Sequence, residues 1–286
     1  MNKLKLIECP RDAMQGLHDF IPTDVKAGYI NQLLKVGFDT IDFGSFVSPK
    51  AIPQMRDTAD VLKLLNLSET SSKLLSIVAN KRGADDASVF EEITYLGFPF
   101  SISETFQVRN TNSSIEESFK RVETIQDICV KSGKQLVVYL SMAFGNPYGD
   151  PWDTDIAAHW GSRLHKEIGV NILALGDTIG VSNRENITSM FTDLMRELPD
   201  VEIGAHLHTT PDSVQEKVSA AYEAGCRRFD GAIKGFGGCP MAKDDLTGNM
   251  PTEGMLRYFK DTGIGTDVVD NEFATAMQMA KNVFPN

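Results

Sequence analysis

The chain has no apolar run approaching the roughly 18–20 residues that cross a bilayer. Its longest apolar stretches, such as 74–79 and 136–140, suit buried strands. No membrane partner is expected. Near Met1 there is no secretory h-region and no Arg/Ser-rich transit pattern, and the end of the chain, NVFPN, is not a peroxisomal address. Cysteine is scarce: Cys9, Cys129, Cys226 and Cys239 are scattered, with no C-x-x-C. That argues against a disulfide framework and for free thiols in a reducing cytoplasm. Positive charge is in deficit, with Lys+Arg 28 against Asp+Glu 39 and a net charge of −11. A general nucleic-acid or anionic-membrane binder is excluded on that ground, although a local basic patch could still hold an anionic cofactor. Low-complexity linkers and fixed-period repeats are also missing.

What is present is enough apolar material for a sizeable core, 42% of 286 residues. A pattern recurs along the chain. Short β-branched or apolar runs fall at 3–8, 40–44, 73–79, 98–105, 135–141, 171–176, 201–206 and 227–232. Segments with helical spacing lie between them, at about 24–36, 53–65, 83–95, 114–132, 153–168, 183–198 and 212–224. Two more follow near 251–262 and 268–283. Ser114-Ile-Glu-Glu117 reads as a capping box, and Thr23 before Asp24, Asn183 before Glu185 and Thr210 with Pro211 suit the first turn of a helix. Gly37, Gly133, Gly169 and Gly225 stand where helices should end. Alternating strands and helices predict an α/β fold, a (β/α)8 TIM barrel in one catalytic domain over 1–286, with a C-terminal helical extension from about 250. A doubly wound open sheet is the alternative, disfavoured because no G-x-G-x-x-G follows the first strand.

A barrel of this kind works at the C-terminal ends of its strands, and unusual polar residues collect there. Arg11-Asp12 follows the first strand, Asp42 and Ser45 end the second, Asp177-Thr178 the sixth, and His206-Leu-His208 the seventh. Gly235-Phe-Gly-Gly-Cys239-Pro and then Thr247-Gly-Asn249 follow the eighth. On an extended segment His206 and His208 point the same way. Strands 1 and 7 of a closed barrel are separated only by strand 8, so Asp12 can face both histidines. Asp12, His206, His208 and the Asn249 amide form an O/N donor set suited to Mg²⁺ or Mn²⁺. Arg11 is suited to stabilising an oxyanion or enolate. Asp42 stays open as a base, an orienting group or simply the partner of Arg11. The glycine loop reads as a lid that places the Cys239 thiol as a proton donor. Ser45 and Lys50, within Ser45-Phe-Val-Ser-Pro-Lys50, are candidates for contacting a carboxylate or phosphate.

These segments resemble one family. Cys9-Pro-Arg-Asp-Ala-Met-Gln15, Ser45-Phe-Val-Ser-Pro-Lys50 with Pro53-Gln-Met55, Leu175-Gly-Asp-Thr-Ile-Gly180, His206-x-His208, Gly235-Phe-Gly-Gly-Cys-Pro240 and Thr247-Gly-Asn249-x-x-Thr-Glu253 are similar to the hydroxymethylglutaryl-CoA lyases. These belong to the metal-dependent TIM-barrel lyase/synthase superfamily. The resemblance implies cleavage of 3-hydroxy-3-methylglutaryl-CoA to acetyl-CoA and acetoacetate, and with it a place in leucine catabolism and ketone-body formation. It implies Asp12, His206, His208 and Asn249 as ligands of a divalent cation, Arg11 as the enolate-stabilising group, Cys239 as the loop thiol and Glu253 as a loop-ordering residue. An acyl-CoA substrate, no nucleic acid, and a homodimer or higher homo-oligomer are the expected partners. The chain departs from the family pattern at Asp42 (usually Glu), Thr209 (usually Asp), Val137 (usually Arg) and Ala13 (usually Gly). An acetyl-CoA-condensing synthase and a non-catalytic acyl-CoA- or metal-binding barrel are the alternatives.

Overall fold

The computed structural model describes residues 3–238 and 247–284. Its sheet is a closed parallel barrel built from β1 (Lys5–Glu8), β2 (Thr40–Ser45), β3 (Lys73–Ile77), β4 (Ile93–Ser101), β5 (Gln135–Ser141), β6 (Ile172–Gly176), β7 (Glu202–His206) and β9 (Arg228–Gly231). Closure is made by β1, which pairs with β2 on one side and β9 on the other. A strand in such a barrel is covered on both faces, which favours continuous apolar runs over strict alternation; every residue of β2 and β6 is buried. Most of the core lies between barrel and helices, and a smaller cluster fills the barrel itself, including Leu75, Tyr95, Val137 and Tyr139.

The helices are α1 (Pro10–Gln15), α2 (Thr23–Leu33), α3 (Thr58–Lys63), α4 (Lys81–Ser88), α5 (Glu104–Thr111), α6 (Ile115–Lys131), α7 (Thr154–Lys166), α8 (Arg184–Glu197), α9 (Val214–Glu223), α10 (Thr252–Asp261) and α11 (Asp270–Val283). Of the expected helix starts, Ser114 and Glu117 form a reciprocal capping box on α6 and Asn183 caps α8, Thr23 is the first residue of α2 behind Pro22 and makes no capping bond, and α9 starts at Val214 behind Ser213 rather than at Thr210. The four predicted C-cap glycines all have positive φ. Helix α11 lies on α2, where the Gln32 amide donates to the Glu272 carbonyl at 3.0 Å and Phe38 meets Phe273 edge-on. No described helix is long and apolar enough to cross a membrane.

Four local expectations are corrected. Strand β4 starts at Ile93, not Phe98, and α4 stops at Ser88 rather than running to 95. Pro99 is tolerated inside β4 because pairing with β3 ends at Gly97, so no partner is left on that side to need its missing N–H. Residues 102–105, read as strand, instead lead into α5, with Ser103 as its N-cap. Helix α1 was not expected, although Pro10 at its first position is a start signal. Finally, His208 is not part of β7. It begins β8 (His208–Thr209), which pairs antiparallel with β10 (Gly248–Asn249) in a two-stranded sheet across the barrel mouth.

The α6 capping box satisfies two otherwise unpaired amides. Ser114→Ala should lower stability by about 1 kcal/mol, whereas Glu117→Gln, which keeps an acceptor for the Ser114 amide, should cost much less. Urea midpoints of the two variants would decide this.

Candidate active site at the barrel mouth

Helix α1 turns immediately after β1, and that turn carries Arg11 and Asp12 into the mouth. Arg11 is buried, and burying a guanidinium is tolerable only with compensating carboxylates. Its Nε donates to Asp42 Oδ2 at 3.0 Å and Oδ1 at 3.2 Å, and its Nη2 also reaches Oδ2. Its Nη1 donates to Asp12 Oδ1 at 2.9 Å. A guanidinium has five N–H groups; three are used here, and the other two have no partner among the described residues. Asp42 is fully buried behind Arg11. Burial pushes its carboxyl up to about 6 against the pull of Arg11, so at neutral pH it remains mostly ionised. Of the three roles open for Asp42, this placement fits the partner of Arg11.

Asp12 is held from three sides. Besides Arg11, the Gln15 amide donates to Oδ1 at 2.7 Å and the Asn249 amide to Oδ2 at 2.7 Å. Burial alone would raise the Asp12 carboxyl, but Arg11, His206, Asn249 and His208 together hold it below its usual range. The Asn249 Nδ2 also donates to the Phe236 carbonyl, and among the described residues nothing donates to its Oδ1. Pairing of β10 with β8 sets Asn249 opposite His208. Gly237 packs so tightly here that a Cβ would lie 2.7 Å from the Asp12 carbonyl oxygen and 2.9 Å from Asn249 Nδ2, so only glycine fits this part of the loop.

The two histidine rings are 5.6 Å apart. His206 Nδ1 lies 3.1 Å from Asp230 Oδ2, and Tyr139 packs edge-on against the same ring. Burial disfavours the His206 charge, yet Asp230 and Asp12 raise its pKa above the usual value. His208 behaves oppositely: burial, reinforced by His206, lowers it to about 4, so it is neutral at physiological pH. Its Nδ1 is buried and has no partner among the described residues. Lys217 Nζ pins the His208 carbonyl at 2.7 Å and Asp177 Oδ2 at 2.8 Å.

Asp12, His206, His208 and Asn249 thus come together, and the donor set fits a hard divalent cation: one ionised carboxylate, one amide oxygen and two imidazoles, one of them with a buried, unpartnered nitrogen. Cys9, His206 and Asp230 also bring ligand atoms within 4.8 Å of one another. Burial and the surrounding carboxylates push the Cys9 thiol well above its usual pKa, however, and a neutral thiol is a poor ligand.

Arg11, Asp12, Tyr139, His206 and His208 line a cleft of about 440 Å³. A larger opening, about 810 Å³, lies beyond Asn249 against α10, but neither Arg11 nor a histidine lines it. Ser45 and Lys50 do not line the cleft; Val47, Ala51 and Ile52 of the same segment do. The Ser45 hydroxyl is buried and accepts from the Val47 amide, while Lys50 is exposed. Cys239 lies outside the described residues. Glu253 accepts from the amide of Lys234, which has φ +60, and so pins the start of the glycine loop. Val137 is buried inside the barrel, and Thr209 Oγ1 is buried without a partner among the described residues. Sequence reasoning missed Gln15, Asp230 and Lys217. Gln15 follows Asp12 by three positions, a contact that recognition of α1 would have exposed. Asp230 is the one acid of the strand run 227–232, which also carries Arg227 and Arg228, and nothing local ties it to a histidine on another strand.

Fold and mouth together define a (β/α)8-barrel enzyme that works at its strand C-termini. The profile of the HMGL-like family matches residues 4–280. The mitochondrial hydroxymethylglutaryl-CoA lyase of Mus musculus is 32% identical over 269 residues, covering 93% of this chain and 81% of that protein. The crystal structure of the Bacillus subtilis HMG-CoA lyase superposes with a TM-score of 0.91 at 31% identity, covering 98% of this chain and 93% of the other. An HMG-CoA lyase from Acinetobacter baumannii, solved in complex with coenzyme A and 3-methylmalate, gives 0.89 at 28%, covering 98% and 91%. The chain belongs to the HMGL-like family, whose members are metal-dependent carbon–carbon lyases.

Glu8, at the end of β1, accepts from the Ile233 amide at 2.8 Å and the Thr252 hydroxyl at 2.6 Å. No cation among the described residues pairs with it, and burial raises its pKa from 4.5 to about 8. A carboxyl raised on folding contributes stability that is complete below the unfolded value of 4.5 and lost as pH rises through 8. Relative to wild type, Glu8→Gln should therefore become progressively more stable between those limits. Denaturant midpoints across that range test it; a constant difference would contradict the shift.

Proposed function

We propose that the protein is a divalent-cation-dependent lyase that cleaves 3-hydroxy-3-methylglutaryl-CoA to acetyl-CoA and acetoacetate, with the whole chain as one catalytic domain. What supports the reading most is the fixed Arg11 guanidinium beside Asp12, His206 and His208 in one cleft, with the Asn249 amide held against Asp12. The named relatives act on this thioester, and one of them is solved with coenzyme A. The cation is Mg²⁺ or Mn²⁺ in this reading, the site of action is the cytoplasm, and the products belong to leucine catabolism and ketone-body formation.

Asp12, His206, His208 and Asn249 would hold the cation, which supplies Lewis acidity that lowers the pKa of the substrate's tertiary hydroxyl. The residues do the rest. A base removes the hydroxyl proton, and the carbon–carbon bond to the thioester arm breaks as the C–O electrons close the ketone of acetoacetate. The bonding pair moves onto the thioester as an enolate, and the spare N–H groups of Arg11 lie at the cleft to stabilise it. Asp42 holds the guanidinium plane, so that its donors are pre-aligned when charge develops. Protonation of the enolate carbon releases acetyl-CoA, with Cys239 assigned as the donor. Asp12 and the histidines are engaged as ligands, which leaves the identity of the base to mutagenesis.

Two measurements test this. Chelator-treated protein should lose turnover of 3-hydroxy-3-methylglutaryl-CoA and recover it with Mg²⁺ or Mn²⁺; full activity without metal, or condensation of acetyl-CoA with a 2-oxo acid as the faster reaction, would sink the proposal. Arg11→Lys keeps the charge and loses the planar fork. It should lower kcat by about two to three decades, and an unchanged kcat with a raised KM would make Arg11 a ground-state binding residue.

A further inference from the structure

The two histidines at the mouth are supported differently, and the difference singles out a residue with no role so far. His206 has a carboxylate against Nδ1, Asp230 Oδ2 at 3.1 Å, whereas His208 Nδ1 meets no partner among the described residues. Asp230 is fully buried, with a side-chain exposure of 1%. It lies on β9, the strand between β7 and β1, and therefore between the strand that ends in His206 and the strand that leads to Asp12. Arg228 stands two residues earlier on β9, so both side chains point into the barrel. Its guanidinium is buried over Tyr95, and Nη1 donates to Glu202 at 3.2 Å. The inner face of β9 thus carries a buried anion next to the mouth and a buried cation beneath it. Tyr139 packs edge-on against the His206 ring, with ring centroids 5.4 Å apart.

We propose that Asp230 is a positioning residue for His206: it accepts the Nδ1–H, fixes the tautomer in which Nε2 carries the free lone pair, and holds that nitrogen towards the cation site. The assignment rests on the cation-binding role given to His206 above. A neutral imidazole has one donor and one acceptor nitrogen, and whichever nitrogen faces a carboxylate keeps the proton. Rotation of the ring would break the hydrogen bond to Asp230 and the edge contact with Tyr139 together. Outer carboxylates of this type typically contribute 10- to 100-fold in metal affinity.

The test uses the full-length protein, first stripped of metal. In ¹⁵N-histidine NMR at mildly alkaline pH, wild-type His206 should be the Nδ1–H tautomer. In Asp230→Ala it should shift towards Nε2–H, while the His208 signals stay in place. Mn²⁺ affinity, followed by calorimetry, should fall about 10- to 100-fold in the same variant. Asp230→Glu, which restores a carboxylate, should recover part of both effects. If Asp230→Ala does not fold, Asp230→Leu, which keeps the side-chain branching and has no acceptor, is read by the same two measurements. An unchanged tautomer together with unchanged Mn²⁺ affinity would overturn the assignment. Wild-type protein that binds no Mn²⁺ would overturn the cation reading instead, and the metal-free NMR would still decide whether Asp230 sets the tautomer.

Discussion

The burial of Arg11 is the constraint on which the mouth depends. A guanidinium at this depth needs anionic partners, and two are supplied from different elements: Asp42 from β2 and Asp12 from the same helical turn. The three groups lock one another. Asp42 fixes the guanidinium plane, the guanidinium keeps Asp12 ionised, and Asp12 draws in Gln15 and Asn249 to satisfy its remaining lone pairs. Removing one member would strand a buried charge, which costs far more than the loss of an exposed ion pair. The same network delivers a flat donor array and an ionised carboxylate to the cleft, so stability and chemistry rest on the same interactions.

The other half of the mouth is organised by backbone. The short β8–β10 sheet brings Asn249 from beyond the glycine loop to lie opposite His208, although 41 positions separate them in sequence. Lys217 ties the His208 carbonyl to Asp177, linking the ends of β6 and β7 beneath the histidines. Glu253 and Gly237 set the path of the loop between them, one by holding the Lys234 amide and the other by its lack of a side chain. The site is therefore assembled from β1, β2, β7 and β9 of the barrel together with the β8–β10 pair, and their positions are set by barrel closure and strand pairing rather than by any local segment.

Much of this was legible in the chain. Period, caps and glycine stops located most strands and helices, because helix ends and turns are decided by local backbone chemistry. The polar residues clustered after the strands pointed to the mouth. The misreadings have definable causes. Residues 89–97 carry apolar and aromatic residues that satisfy helix and strand templates about equally, and only pairing with β3 and β5 makes 93–101 a strand. The single turn of α1 is too short for periodicity to register. His206 and His208 were rightly placed together, but as neighbours on one strand, whereas the chain changes sheets between them.

By itself the sequence determined the alternation of strands and helices, the caps, the poverty of positive charge, and which residue types were available for acid, base and cation chemistry. These follow from covalent neighbours and side-chain identity. Tertiary structure decided which of those residues meet. It paired Arg11 with Asp42, set Asp230 behind His206, brought Asn249 to Asp12, and left Ser45 and Lys50 off the cleft. Contacts between positions tens to hundreds of residues apart depend on barrel closure and strand register, and so do the desolvation and neighbouring charges that hold His208 neutral beside an ionised Asp12. No reading of adjacent residues contains that information.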